Sequence, residues 1–380
     1  DKVEPMLRII KLDTKDKASV RRFIEIPFRL YQDHPYWVAP IRSDVETMLN
    51  KTKHPFYEHS DADFFIAERD GLPVGRLAVI ENRSFNRYHE TKTAQFYLFD
   101  CEEDQEACNH LFEQGFDWAR QRGLTHMIGP KGFGPLDGYG ILIDGYDHRQ
   151  LMNMMNYNYP YYLQQLENLG FEKEVDFVSA MIDTEVFIIP ERVHRIADRV
   201  RERGSLGVKK FKSKRELAQW APKIGAAYNA AFVNNWEYYP LSQAEIKFVL
   251  DNILVVADHR LIKIITHGDD VVGFLFAFPD ISAAMQRING RVFPFGIIDL
   301  LLEMRRTNWV AINGAGILPE FQGRGGNALL YSEMENTLRD YNFRYADLTQ
   351  VAETAVQMRS DLENLGGKIY KTHRVLRKSL

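Results

Sequence analysis

Residues 317–330 read ILPEFQGRGGNALL. An apolar run meets Pro319, a turn rich in glycine and arginine follows, and a helical pattern begins near Asn327. Glycine lets a backbone adopt positive φ and approach a ligand closely. A helix N-terminus exposes unpaired N–H groups and a partial positive charge. Together they form an anion site whose natural occupant is a phosphate, and Arg324 adds a forked, permanent cation. The chemistry therefore predicts a phosphorylated ligand at residues 322–328; the alternative is a tight strand-to-helix turn with no ligand. Two other phosphate motifs do not fit. A P-loop needs a lysine after its glycines, and a dinucleotide fingerprint needs a third glycine where GAGILP (314–319) has Pro319.

Outward from this turn the chain repeats itself. ERDGLPVGRLAVI (68–80) and THGDDVVGFLFAF (266–278) each read as a hairpin whose second strand is entered through Val-Gly. LENLG occurs at 166–170 and again at 362–366. The Val-Gly pairs lie 198 residues apart and the LENLG strings 196. Two matches in one order at nearly one offset argue for an internal duplication. Between them, each copy has a helix closed by Gly123 or Asn342, residues that tolerate the left-handed position after a helix. Each copy then reads helix, hairpin, strand, helix, strand, helix, strand: a mixed α/β layout on a central sheet. The copies differ in extra chain at 130–158 and 279–308. The boundary is expected within the basic, polar stretch near 185–205, giving domains 1–190, with a helical N-terminal extension, and 191–380.

Bulk properties set limits. A length of 380 residues suits two domains. With 45% hydrophobic and 26% charged residues the composition is that of a soluble globular protein. A net charge of −4 does not advertise a nucleic-acid surface. Two cysteines are too few for a disulfide framework or a structural zinc site, so no metal is expected and a reducing cytoplasm fits. No apolar run reaches the roughly 18 residues of a membrane span, and the N-terminus carries no signal-peptide pattern.

The whole string PEFQGRGGN resembles the acetyl-CoA-binding signature of the GNAT acyltransferase superfamily, Gln/Arg-x-x-Gly-x-Gly/Ala after a strand. Gln322 and Gly325 match, as do Pro319, Glu320 and Phe321 ahead of them; Asn327 stands at the last Gly/Ala position. The resemblance implies two tandem GNAT-like domains. It implies acetyl-CoA or a longer acyl-CoA as co-substrate, held by Gln322, Gly323, Arg324, Gly325, Gly326 and Asn327. It further implies a splayed strand whose main chain at Ile317 and Leu318 pairs with pantetheine, with Glu353 and Thr354 flanking the other side. The first copy has LFDCEEDQEA (98–107) at this turn, acidic and without glycine. It is expected to be degenerate for CoA, a scaffold or a wall of the acceptor groove.

Four further segments resemble the bacterial ceramide-synthase-like branch of tandem GNAT proteins: residues 23–40, 132–147, 228–245 and 366–376. That resemblance implies acyl transfer to an amine, including a long-chain sphingoid base. FPFGIIDLLLEM (293–304) is apolar enough to line an acyl groove, or to be a packed helix. The basic residues 199–215 would meet an anionic membrane or form a solvated linker; Lys209, Lys210 or Lys212 would instead reach a CoA phosphate. At most a peripheral contact, at the inner membrane face, is expected.

The splayed strand carries no carboxylate, and Leu362 occupies the position of the usual GNAT tyrosine. Glu353 as base and His373 or Tyr370 as acid are the substitutes, each weighed against a structural role. Asn235, Trp236 and Tyr239 fall where GNAT proteins bind acceptors, or pack as ordinary aromatic turn residues. Asp137 and Asp144 would orient an amine or shape turns. The competing readings are a non-catalytic tandem module that binds CoA or a partner protein, and an aminoacyl-tRNA-dependent transferase of the Fem type. Oligomeric state is not legible.

Overall fold

The computed structural model describes residues 6–380. The first part of the chain forms β1 (Leu7–Lys11), α1 (Lys17–Leu30), α2 (Arg42–Leu49), β2 (Asp61–Arg69), β3 (Leu72–Glu81), α3 (Arg83–His89), β4 (Thr93–Cys101) and α4 (Gln105–Gln121). It continues through β5 (His126–Gly129), β6 (Ile141–Asp144), α5 (Tyr161–Asn168) and β7 (Glu172–Asp183). Then come α6 (Glu191–Arg203), β8 (Gly207–Lys209), α7 (Lys214–Ala231), α8 (Gln243–Val256), β9 (Ile262–His267), β10 (Asp270–Pro279), α9 (Ser282–Ile288) and α10 (Gly296–Arg306). The last elements are β11 (Trp309–Ile317), α11 (Gly326–Asp340), β12 (Tyr345–Ala352), α12 (Val356–Asn364) and β13 (Lys368–Ser379).

The chain divides into two compact units. One holds residues up to Phe177 together with Ser282–Asp299 and Lys371–Leu380; the other holds Val178–Ile281 and Leu300–Tyr370. The boundary expected at 190/191 is therefore an exchange of segments. β7 and β13 each start in one unit and end in the other.

The first unit runs β1-β2-β3-β4-β5 and then the end of β13, with β6 also on β13. β4 and β5 are parallel; their neighbours are antiparallel. One face of the sheet packs Phe96, Leu77 and Val79 against Leu111, Phe112 and Phe116 of α4. The other packs Phe64, Ile66 and Ile80 against Phe23, Ile24 and Leu49 of the N-terminal helices. A sheet covered on both faces explains strands that are apolar without clean alternation. In the second unit β8-β9-β10-β11-β12 repeat this plan, with β11 and β12 parallel. Leu329, Leu330, Met334 and Leu338 of α11 and Val200 of α6 cover Ile265, Leu275 and Val310.

The duplicated Val-Gly pairs have a steric cause. A Cβ at Gly75 would lie 2.9 Å from Leu111 Cδ1 and 3.1 Å from Cys101 Sγ, and one at Gly273 would lie 3.1 Å from Ile317 Cγ1. Each glycine sits across from the last residue of the next strand: Gly75 from Cys101, Gly273 from Ile317. The same close approach, made twice, keeps the same dipeptide twice.

Candidate functional site

β11 pairs with β12 only from Trp309/Tyr345 to Ile312/Leu348. Beyond that rung the strands part. The cause is a bulge: Leu275 and Ala277 of β10 face Ala315 and Ile312, so Asn313 and Gly314 together oppose Phe276. Gly314 has φ +112°, which a side chain rarely tolerates, and the extra residue bends the strand. Past the bulge, Leu318 N–H donates to Val272 O at 2.8 Å. Gly273 and Ile317 are then the non-hydrogen-bonded pair, and the main chain of Ile317 faces away from β10 toward the opening. Its carbonyl accepts from Gln322 Nε2 at 3.0 Å. Of the two predicted main-chain positions, Ile317 faces the gap; Leu318 N–H is spent on the sheet.

The glycine turn is an exposed strand-to-helix turn. Gly325 caps α11 at φ +84°, and a Cβ there would meet Val200 Cγ2 at 2.7 Å. Gly326 is buried on Ile317, which a Cβ would approach to 2.8 Å. Gly323, at φ +73°, has open space around it. Gln322, Gly323, Arg324 and Asn327 are exposed. The first helical bond is Leu329 N–H to Gly325 O, so the N–H groups ahead of it point out of the helix end. No acidic residue lies in the first turn of α11. Arg324 stacks over Phe321 at 4.9 Å. The residues present fit a pyrophosphate: main-chain donors, a guanidinium, and no carboxylate in the first helical turn.

The matching turn of the first unit is already filled. β4 has the same bulge, at Leu98 (φ 47°) and Phe99. Here Cys101 N–H donates to the Tyr162 hydroxyl at 3.0 Å, and Tyr161 Oη donates to Cys101 O at 2.7 Å. Gln165 Nε2 donates to Glu102 O at 2.8 Å. Asp104 caps α4 by accepting from Ala107 N–H at 3.0 Å, and Arg69 pairs with Asp104 and Glu106. The protein's own phenols and carboxylate satisfy the strand edge and the helix N-terminus at this turn. In the second unit the residue matching Tyr162, four before the first leucine of LENLG, is Met358, 39% exposed.

The remaining predicted residues fall in separate places. Glu353, half-buried, and Thr354, exposed, follow β12 directly. Tyr370 Oη donates to Asp347 Oδ2, and Thr349 Oγ1 donates to Asp347 Oδ1 at 3.1 Å. Asp347 is fully buried on β12, one residue before the last paired rung, and was not among the sequence candidates. The only hint was a carboxylate in a parallel strand whose other residues carry no charge. Ala231 O would lie 2.9 Å from a Cβ on Gly316, and Phe232 Cζ 3.7 Å from one on Gly314, so the end of α7 lies against the bulged part of β11. The following turn carries Asn235 (exposed), Trp236 (half-buried) and Tyr239 (buried).

His373 belongs to the first unit and is fully buried. Its Nε2 donates to Asn156 O at 2.8 Å, and burial pushes its pKa down to about 4. A neutral ring with that N–H already used has no proton for a leaving thiolate at neutral pH; its seat is that of a core histidine. Lys209 pairs with Glu216 and Lys210 with Glu333. Asp137 accepts from Phe133 and Gly134 N–H, as a turn-shaping carboxylate does.

No family model matches the chain. Over its whole length it superposes on a tandem GNAT protein of the clavulanic acid pathway with a TM-score of 0.57, 11% identity and 98% coverage of both chains. The chain has the tandem GNAT fold. A glucosamine N-acetyltransferase region of a fungal multi-domain β-N-acetylglucosaminidase gives a TM-score of 0.56 at 12% identity, covering 99% of this chain and 38% of that one. In sequence, the chain is 29% identical over 380 residues to the bacterial ceramide synthase of Caulobacter vibrioides (strain NA1000 / CB15N), covering 97% of each. It is 24% identical over 374 residues to protein YghO of Escherichia coli (strain K12), covering 96% of the chain and 94% of that protein.

Proposed function

We propose that the second unit binds an acyl-CoA thioester and transfers its acyl group to an amine, with a long-chain, lipid-like amine as acceptor. One observation carries this reading: the open edge of β11 runs into an exposed, acid-free helix N-terminus, whereas its duplicate is plugged by Tyr161, Tyr162 and Asp104. Full-length similarity to a ceramide synthase supports the lipid amine.

In this reading the N–H groups of residues 323–327 and Arg324 hold the pyrophosphate, and pantetheine pairs along β11. Ile317 N–H receives the thioester oxygen as it becomes an oxyanion. The amine nitrogen attacks the carbonyl carbon, the C–S bond breaks, and an amide and free CoA thiol result. An alkylammonium with a pKa near 10 must first lose a proton, at a cost of roughly 4 kcal/mol at neutral pH. Glu353 takes that proton. Tyr370, its hydroxyl turned from Asp347, hands one to the thiolate and recovers one from the nitrogen, which sheds its second proton as the amide forms. Asn235, Trp236 and Tyr239 form the acceptor wall beside the bulge.

The test is thermal stabilisation by acetyl- and long-chain acyl-CoA, followed by thiol release with an amine panel. Arg324→Glu is expected to weaken acyl-CoA binding by about tenfold or more, because one guanidinium–phosphate bond becomes a repulsion. Indifference of the unmodified protein to every CoA ester would overturn the reading. The absence of a carboxylate on Trp309–Ile317 favours the second reading, a CoA-binding module without catalysis. Binding without thiol release against any amine would identify it.

A further inference from the structure

Helix α10 is built inside out. Leu300 is its only buried side chain, while Ile298, Leu301 and Leu302 are 55%, 54% and 39% exposed. Their spacing puts them on one face, together with exposed Arg305. Just ahead of the helix, Phe293 and Phe295 flank Pro294 and are 79% and 77% exposed. Arg291 lies before this turn and Arg306 ends the helix, both exposed. Of the two acids, Asp299 is neutralised by Arg287 at 2.7 Å, and Glu303 is half-buried. Two aromatic tips, an apolar helix face and a cationic margin have nothing to do in water.

We propose that residues 291–306 form a docking surface for an anionic lipid bilayer, Phe293 and Phe295 entering the headgroup–acyl boundary and α10 lying along it. Charge complementarity selects this occupant: an interfacial helix combines an apolar face with Lys or Arg that meets anionic lipid. A second copy is a poorer match. An isologous contact would set this face against itself and bring Arg291, Arg305 and Arg306 up to their own duplicates.

A cavity of about 600 Å³ in the first unit adds an independent observation. Phe28, Trp37, His34, Arg42 and Arg291 are among its lining residues. The Arg42 guanidinium sits 3.6 Å over the Phe28 ring, paired with Glu25, and burial and the charge of Arg291 both lower its pKa. Arg29, Arg42 and Arg291 outnumber Glu25 and Asp33 in this lining, which makes it a seat for one more anion, and Arg291 stands two residues before Phe293. A phospholipid headgroup reaches it when the aromatic turn is inserted.

The inference stands apart from acyl transfer, since the test uses neither acyl-CoA nor amine. The full chain is floated with vesicles of phosphatidylglycerol mixed with phosphatidylcholine and, separately, with pure phosphatidylcholine. Binding to the anionic vesicles, weakened by salt, is expected. The Phe293→Ser/Phe295→Ser double variant, changed only at exposed positions, should melt like the parent and bind about tenfold or more weakly. Arg291→Glu should cut anionic-vesicle binding alone. Absence of flotation at low salt, or equal flotation of the double variant, overturns the proposal. So does a mass measurement in which the parent is a dimer and the double variant a monomer, because the face then belongs to a second copy.

Discussion

His373 shows how a seat decides what a side chain can do. The unfolded chain protonates it near pH 6.5, whereas in the fold, buried and donating to Asn156 O, it resists protonation down to about pH 4. Between these values the unfolded state binds the extra proton, so stability rises with pH. The contribution is whole above pH 6.5 and is lost as pH falls toward 4; fully developed, the loss is about 3 kcal/mol. His373→Gln keeps a nitrogen donor for the Asn156 carbonyl and removes the titration. Urea midpoints at neutral and acid pH should then move apart less than in the parent; an unchanged acid loss would refute the assignment. The sequence carried the type of this residue but not its seat, because Asn156 lies 217 residues away. The same holds for Asp347 and Tyr370, joined across 23 residues. The strand-to-helix turn at Gln322–Gly325 was legible as a turn because the positive φ of Gly323 and Gly325 is local, although the packing of Gly325 on Val200 is not.

Among elements, the contrast between the two strand-to-helix turns is the sharpest. Acidic residues after β4 were readable as hostile to a pyrophosphate. What sequence did not reveal is that α5 supplies hydroxyls to the same strand edge, since a tyrosine on a helix gives no sign of which main chain it meets. Tyr162 accepts from Cys101 N–H and from the Tyr31 hydroxyl, each at 3.0 Å, and is almost wholly buried. Tyr162→Phe leaves both donors without that oxygen. A cost of roughly 1–3 kcal/mol follows for each buried donor left unsatisfied, and amide exchange at Cys101 should speed up in parallel. If the splay alone made a CoA site, this variant would also gain acyl-CoA binding in the first unit. The Asp104 cap and its Arg69 partner argue that it will not, and a titration of Tyr162→Phe carrying Arg324→Glu measures this directly.

On the scale of the whole chain, duplication was legible and exchange was not. The repeated Val-Gly and LENLG strings mark two copies because equal strings at one offset are visible without knowing what they pack on; Leu362 in fact packs on Val178 and Ala180, from before residue 190. The destination of β13 depends on contacts between residues far apart in sequence, on which local patterns are silent. Leu376 pairs with Gly129, Arg377 with Ile128 and Lys378 with Met127, so the C-terminal strand completes the sheet that begins at the N-terminus. Val375 and Leu376 are buried there. A chain divided at 190/191 should therefore not give two folded halves. Fragment 1–190 would lack residues 282–299 and 371–380 of its unit, leaving the edge of β5 unpaired and apolar, a template for aggregation. Fragment 191–380 would lack the Val178–Asp183 stretch of β7, whose Ser179 Oγ accepts from Gln350 N–H at 3.0 Å. Each fragment alone should show weak near-ultraviolet dichroism and fast amide exchange. Co-expression should recover a soluble pair, because the exchanged strands then find their partners. Independent folding of 1–190, with native exchange protection at Met127 and Ile128, would show that β13 is dispensable to that unit.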